Sequence, residues 1–236
     1  MKVDVGKLKQ FIDIVGFSIG GIDIKVTESS MTASVINDVR NVVVMVELPV
    51  IEGKESNLRI EKEIFLKYLR NIGDKVVDIT SDDTLITISD ENVEIYFPQI
   101  HPSIVSKSRK ELPKDLNWKL ESSFSISSDH IKKILSITDN VNEKVVVIES
   151  KDGNIKAKIK NKAIVKNMGK IISGDDFTVK YHLKSLVDAM SGAFKTNVII
   201  STYKDEGEGL GKPPSTFSYI IDDMCVSGII AEWVDD

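Results

Sequence analysis

Apolar residues recur every three or four positions at four places along the chain, and every second position over much of the remainder. Leu8, Phe11, Ile12 and Val15 keep helical spacing, with Lys9, Gln10 and Asp13 on the other side. A second helix begins near Glu63, with Phe65, Leu66, Leu69 and Ile72 inward, Lys67, Arg70 and Asn71 outward, and Gly73 as its stop. Ile131, Ile134, Leu135 and Thr138 form a third face with Lys132 and Lys133 outside it, and Leu183, Leu186, Val187 and Met190 a fourth. Alternation predicts strands over 22–26, 31–36, 42–48, 76–80, 85–88 and 93–97, then 145–149, 155–159, 163–168, 198–203, 217–221 and 226–231. Lys151-Asp152-Gly153-Asn154 makes 145–159 a hairpin by its turn chemistry.

Between about 100 and 119 the periodicity disappears. His101-Pro102 and Leu112-Pro113 break regular structure, and Lys107, Arg109, Lys110, Glu111 and Lys114 charge the segment heavily. The pattern then repeats. Leu8-Lys9-Gln10-Phe11-Ile12 lies over Ile131-Lys132-Lys133-Ile134-Leu135 at an offset of 123, and Leu66-Lys67-Tyr68-Leu69 over Leu183-Lys184-Ser185-Leu186 at 117. The expectation is a duplicated α+β fold, each unit placing two helices on one face of antiparallel sheets: domain 1–99, connector 100–119, domain 120–236.

Composition narrows the function. At 236 residues with 42% hydrophobic and 28% charged residues, the chain reads as ordinary globular protein. Its net charge of -5 rules out a generally basic coat, so any polyanion contact needs a local patch. The longest apolar run, 42–46, is far too short for a bilayer, the first residues hold no signal-peptide core, and a cytosolic protein is expected.

Candidate chemistry is sparse. His101, His130 and His182 are scattered without metal-ligand spacing and read as solvated or capping residues. Cys225 beside a strand reads as a buried structural thiol. Asp82-Asp83, Asp175-Asp176 and Asp222-Asp223 fall at turns. Gly207 to Lys212 invites a phosphate loop, but Glu206 stands where glycine is needed and Pro213 where Ser or Thr holds magnesium; a hairpin loop fits better. No enzyme, metal or cofactor is expected. Positive charge, by contrast, is placed on the outer faces of all four helices: Lys9, Lys67, Arg70, Lys132, Lys133 and Lys184. The four helical stretches carry seven cations and five anions, a local excess on an acidic chain. That suits loose, sequence-independent contact with a phosphate backbone.

Pro214-Ser-Thr-Phe-Ser-Tyr219-Ile-Ile221-Asp-Asp223-Met224, the two Leu-Lys-x-Leu helices and the hairpin tip Lys151-Asp152-Gly153 occur in an order, spanning nearly the whole chain, that resembles the DNA polymerase sliding clamps of the proliferating cell nuclear antigen (PCNA) type. Two departures suggest a divergent, archaeal or viral-like member. Ile229-Ile230-Ala231-Glu232-Trp233 replaces the usual Tyr-Leu-Ala-Pro-like ending, and the first unit is short before Ile22.

The resemblance implies a ring with the helices lining its hole on double-stranded DNA, loaded by a separate clamp loader. DNA polymerase, nuclease and ligase would dock by short hydrophobic-aromatic motifs into a pocket at Ile36, Leu112, Pro214, Ile229 and Ile230. Subunits would meet through Val93, Ile95 and Phe97 on one side and Ile164, Val165 and Lys166 on the other, closing a trimer. The location implied is cytoplasmic and nucleoid-associated, or nuclear or viral-host. Other readings stand beside it: a subunit of a heterotrimeric or checkpoint-type clamp, a monomeric β-rich enzyme, or an adaptor module without DNA contact.

Overall fold

Asp4 ends the short strand β1 (Lys2–Asp4); its carboxylate accepts from the Lys7 backbone N–H at 3.0 Å and starts helix α1 (Val5–Val15). The computed structural model describes residues 1–16, 21–72, 75–103, 105, 118–141, 144–159, 163–190, 192–193, 196–205 and 213–233. Four strands follow α1: β2 (Ile22–Val26), β3 (Ser30–Ile36), β4 (Val42–Pro49) and β5 (Ser56–Ile60). Helix α2 (Lys62–Leu69) then leads to β6 (Val76–Ser81), β7 (Leu85–Ser89) and β8 (Glu94–Pro98).

The rest of the chain runs the same course. Strand β9 (Trp118–Ser127) and helix α3 (Ser128–Val141) precede β10 (Val145–Lys151), β11 (Asn154–Ile159), β12 (Ala163–Val165), β13 (Gly169–Gly174) and β14 (Thr178–His182). Helix α4 (Leu183–Met190) and β15 (Asn197–Asp205), β16 (Ser215–Ile221) and β17 (Met224–Ile230) finish it. The fold is α+β and rich in antiparallel sheet, with four helices among the described residues.

Two compact units divide the chain. Unit 1 is Met1–Arg40, Val44–Lys110 and Asp222–Val226; unit 2 is Asn41–Val43, Glu111–Ile221 and Ser227–Asp236. Inside unit 1 the strand orders are β1-β6-β7-β8 and β4-β3-β2-β5; inside unit 2 they are β9-β15-β16-β17, extended by β13, and β12-β11-β10-β14. The registers match residue by residue. Val3 faces Val77 as Ile126 faces Val198, and Ile24 faces Leu58 and Ala33 as Ile148 faces Val179 and Ala157. Even the link of β13 to β9 has its counterpart, since Ile51 N–H donates to the Lys2 carbonyl and Lys2 N–H to that of Glu52.

Duplication is therefore written in the hydrogen-bond ladders, but one sequence match is displaced. The registers set α1 against α3 at 123 and α2 against α4 at 121, so Phe65 and Leu69 correspond to Leu186 and Met190. The Leu-Lys-x-Leu run ends α2 and begins α4, one helical turn out of step.

Each core forms where alternating strand residues meet helix residues. In unit 1 the Phe97 ring packs edge-on to Phe65 at 5.5 Å and stacks on Tyr68 at 5.2 Å; in unit 2 Phe124 stacks on Phe177 at 4.1 Å. The β10–β11 hairpin closes on Asp152 and Gly153, both at positive φ (53° and 77°), as its turn chemistry predicts. Two expectations change. The strand read over 163–168 stops at Val165 as β12, with β13 beginning separately at Gly169, and Cys225 is exposed because Met224 and Val226 take the inward positions of β17.

Candidate nucleic-acid interface

The helices expose the cations their periodicity sets outward. Lys67, Arg70, Lys132, Lys133 and Lys184 are exposed and Lys9 is half-buried. Among the described residues no carboxylate pairs with Lys9, Lys67, Arg70 or Lys133. Other basic groups are engaged: Lys62 on α2 meets Asp13 on α1 at 3.4 Å, and Lys7 meets Asp223 at 2.6 Å, its hydrogen bond holding the ammonium above its ordinary pKa. Each helix thus gives one side to the core and an outer side bearing positive charge, unpaired among the described residues at Lys9, Lys67, Arg70 and Lys133, which attracts a polyanion without fixing its register.

The residues read as subunit contacts lie at two sheet edges. Among the described strands β8 has β7 as its single neighbour, and β12 has β11. Val93 precedes β8 and is 40% exposed, Ile95 is half-buried, and Phe97 is enclosed beneath α2. Tyr96 points outward beside Glu94, whose carboxylate holds the phenol above its ordinary pKa. Ile164 is 53% exposed, Val165 is buried, and Lys166 is exposed just beyond β12.

The residues read as a partner pocket fall in both units. Ile36 ends β3 in unit 1 and is half-buried; Leu112 and most of the 100–119 connector lie outside the described residues, as does the 207–212 loop. In unit 2 Pro214, Ile229 and Ile230 come to one end of the β16–β17 pair, with Ile230 fully enclosed.

Beside them stands a buried polar chain that alternation did not single out. Tyr181 OH donates to Ser215 Oγ at 2.7 Å, and Ser215 Oγ donates to Glu232 Oε1 at 2.8 Å. Burial, reinforced by the Glu232 charge and opposed by the Ser215 bond, pushes the Tyr181 phenol upward. The next residue, Trp233, lies 5.7 Å from the His182 ring and donates its backbone N–H to the Lys180 carbonyl at 2.7 Å. The sequence signal was slight: Thr178–His182 turns only Val179 and Tyr181 inward, and Ser215 follows two prolines.

No family model matches the chain, and no curated protein matches it. Solved structures do. PCNA of A. fulgidus, solved with the C-terminal region of FEN-1 bound, superposes with a TM-score of 0.79 at 14% identity, covering 100% of this chain and 98% of that one. PCNA of Entamoeba histolytica gives 0.77 at 15% identity over 99% and 98%. The PCNA2–PCNA3 complex of Sulfolobus tokodaii gives 0.71 at 16% over 98% and 99%. This chain has the fold of the PCNA-type sliding clamps.

Proposed function

We propose that the chain is a sliding clamp that encircles duplex DNA and tethers DNA polymerase and other replication and repair enzymes to it. The supporting observation is the combination of a twice-repeated clamp fold with outward-facing cations on all four helices of a net-acidic chain. Lys9, Lys67, Arg70, Lys132, Lys133 and Lys184 would face the backbone phosphates, near enough to screen them and too few to arrest sliding. No catalytic group is required, because topological linkage raises the local concentration of a bound enzyme at its substrate.

In this reading 1–99 and 120–236 are the two clamp domains and 100–119 is the connector between them. Ile36, Leu112, Pro214, Ile229 and Ile230 would receive a client's hydrophobic-aromatic motif; the FEN-1 segment bound to the A. fulgidus protein is the precedent. Ring closure would pair β8, with Val93, Ile95 and Phe97, against β12, with Ile164, Val165 and Lys166, so that neither edge stays open.

The test is topological. Loaded protein should stay on closed circular DNA through a gel-filtration column and be lost when the circle is cut once. Equal loss from circular and linear DNA would sink the clamp reading.

A further inference from the structure

One sheet of unit 2 turns a lysine-rich face away from its core. In β10, β11 and β14 the alternate residues Val146, Ile148, Ala157, Val179 and Tyr181 are buried, and α3 packs against β11. The outward positions of the same strands carry Lys151, Lys156, Lys158 and Lys180 against one carboxylate, Glu149. Lys158 and Lys180 flank Val147 in one row across three strands, and Lys156 and Thr178 flank Glu149 in the next. Glu149 Oε1 accepts from both Lys158 and Lys156, at 2.8 and 2.9 Å, so one negative charge serves two ammoniums and positive charge is left over. The fold does not demand lysine here. The registers set Lys156 and Lys158 on Thr32 and Ser34 of unit 1, where hydroxyls fill the same outward places of the ladder.

The lysine rows end on an aromatic pair. His182 lies two residues beyond Lys180 on the same face of β14, and the Trp233 ring, 43% exposed, stands 5.7 Å from it. The Trp233 backbone is fixed there by its N–H bond to the Lys180 carbonyl at 2.7 Å. Lys158, Lys180 and the indole therefore form a stripe, with neighbouring strands about 5 Å apart and alternate residues of one strand about 7 Å apart. Spaced cations followed by an open ring face suit a phosphate backbone that carries unstacked bases. A duplex hides its ring faces in its own stack, and an acidic peptide would use the lysines and leave the indole idle.

We infer that this outward face of unit 2 binds single-stranded nucleic acid, with phosphates on Lys156, Lys158 and Lys180 and a base stacked on Trp233. Glu149 competes with the phosphates for the two lysines it holds, which keeps the contact weak and reversible. The site is separate from the helix cations and does not depend on the clamp reading, so either can fail without the other.

Fluorescence anisotropy of the full chain with a labelled oligothymidylate, and with an oligouridylate of the same length, tests it. At least one should bind, and the tighter of the two names the source. Trp233→Ala should weaken binding about tenfold, and Trp233→Phe should recover most of that loss. Replacing Lys156 and Lys180 by glutamine should flatten the slope of log affinity against log salt by about 0.7 for each phosphate contact removed. Glu149→Gln frees both ammoniums and should tighten binding several-fold, a gain that a merely destabilised protein would not show. Wild-type affinity in both the Trp233→Ala and Glu149→Gln variants overturns the proposal, as does failure of both oligonucleotides to bind. An oligoglutamate that displaces the oligonucleotide, and binds the Trp233→Ala variant as tightly as wild type, gives the face to an acidic peptide and overturns it too. Equal loss of the protein from circular and linear duplex DNA sinks the clamp reading and leaves this site standing.

Discussion

Phe97 shows how one side chain joins the core of unit 1 to its edge. Its ring is held between Phe65 and Tyr68, and its backbone belongs to the strand with a single neighbour. Phe97→Ala should cost about 3–5 kcal/mol, read as a lowered urea midpoint. Ser215 is a polar case. It is fully buried and serves as acceptor for Tyr181 and donor to Glu232, so Ser215→Ala strands two groups and should cost about 1–3 kcal/mol in the same assay. Glu149 carries a pH signature. Hydrogen bonds from Lys158 and Lys156, at 2.8 and 2.9 Å, hold its carboxyl below the ordinary range. A lowered folded-state pKa stabilises above the ordinary carboxylate range, and that contribution is lost as pH falls through the lowered value. Glu149→Gln should therefore melt below wild type at neutral pH, and the two should converge in acid.

Elements were legible in proportion to how many alternating apolar residues they carry. The hairpin of β10 and β11, the helix faces and the long β4 all declare themselves by period. Five strands do not. β1 has three residues, and β5 turns only Leu58 and Ile60 inward. In β9 a buried serine, Ser122, occupies an inward position and satisfies itself by donating to the Ser173 carbonyl at 3.2 Å. The ladder of β13 is irregular between Ile171 and Ser173, which throws its alternation out of phase, and β14 shows only Val179 and Tyr181. The helix match at 117 failed for a physical reason too: Leu-Lys-x-Leu fits any amphipathic turn, whereas a ladder fixes register to the residue. Helix starts carry their own test. Asp4→Ala removes the one side-chain cap of α1 and should cost about 1 kcal/mol, seen by thermal melting.

At the scale of the whole molecule, the fold and the charge pattern were legible, because both follow from the period at which apolar and charged positions recur. Charge is where the functional reading is most open to test. The outward cations are few, and the chain as a whole is acidic, so long-range attraction to DNA is weak and binding must depend on the local face. Reversing Lys67, Arg70, Lys132 and Lys184 to glutamate together changes only exposed positions, so the melting temperature should stay close to wild type. Retention on circular DNA should fall. Each phosphate contact removed should also flatten the slope of log affinity against log salt by about 0.9, a loss a purely steric ring would not show. Should the fourfold variant keep both wild-type retention and wild-type salt slope, the helices do not face the DNA, and the cations would be no more than the solvated sides of amphipathic helices.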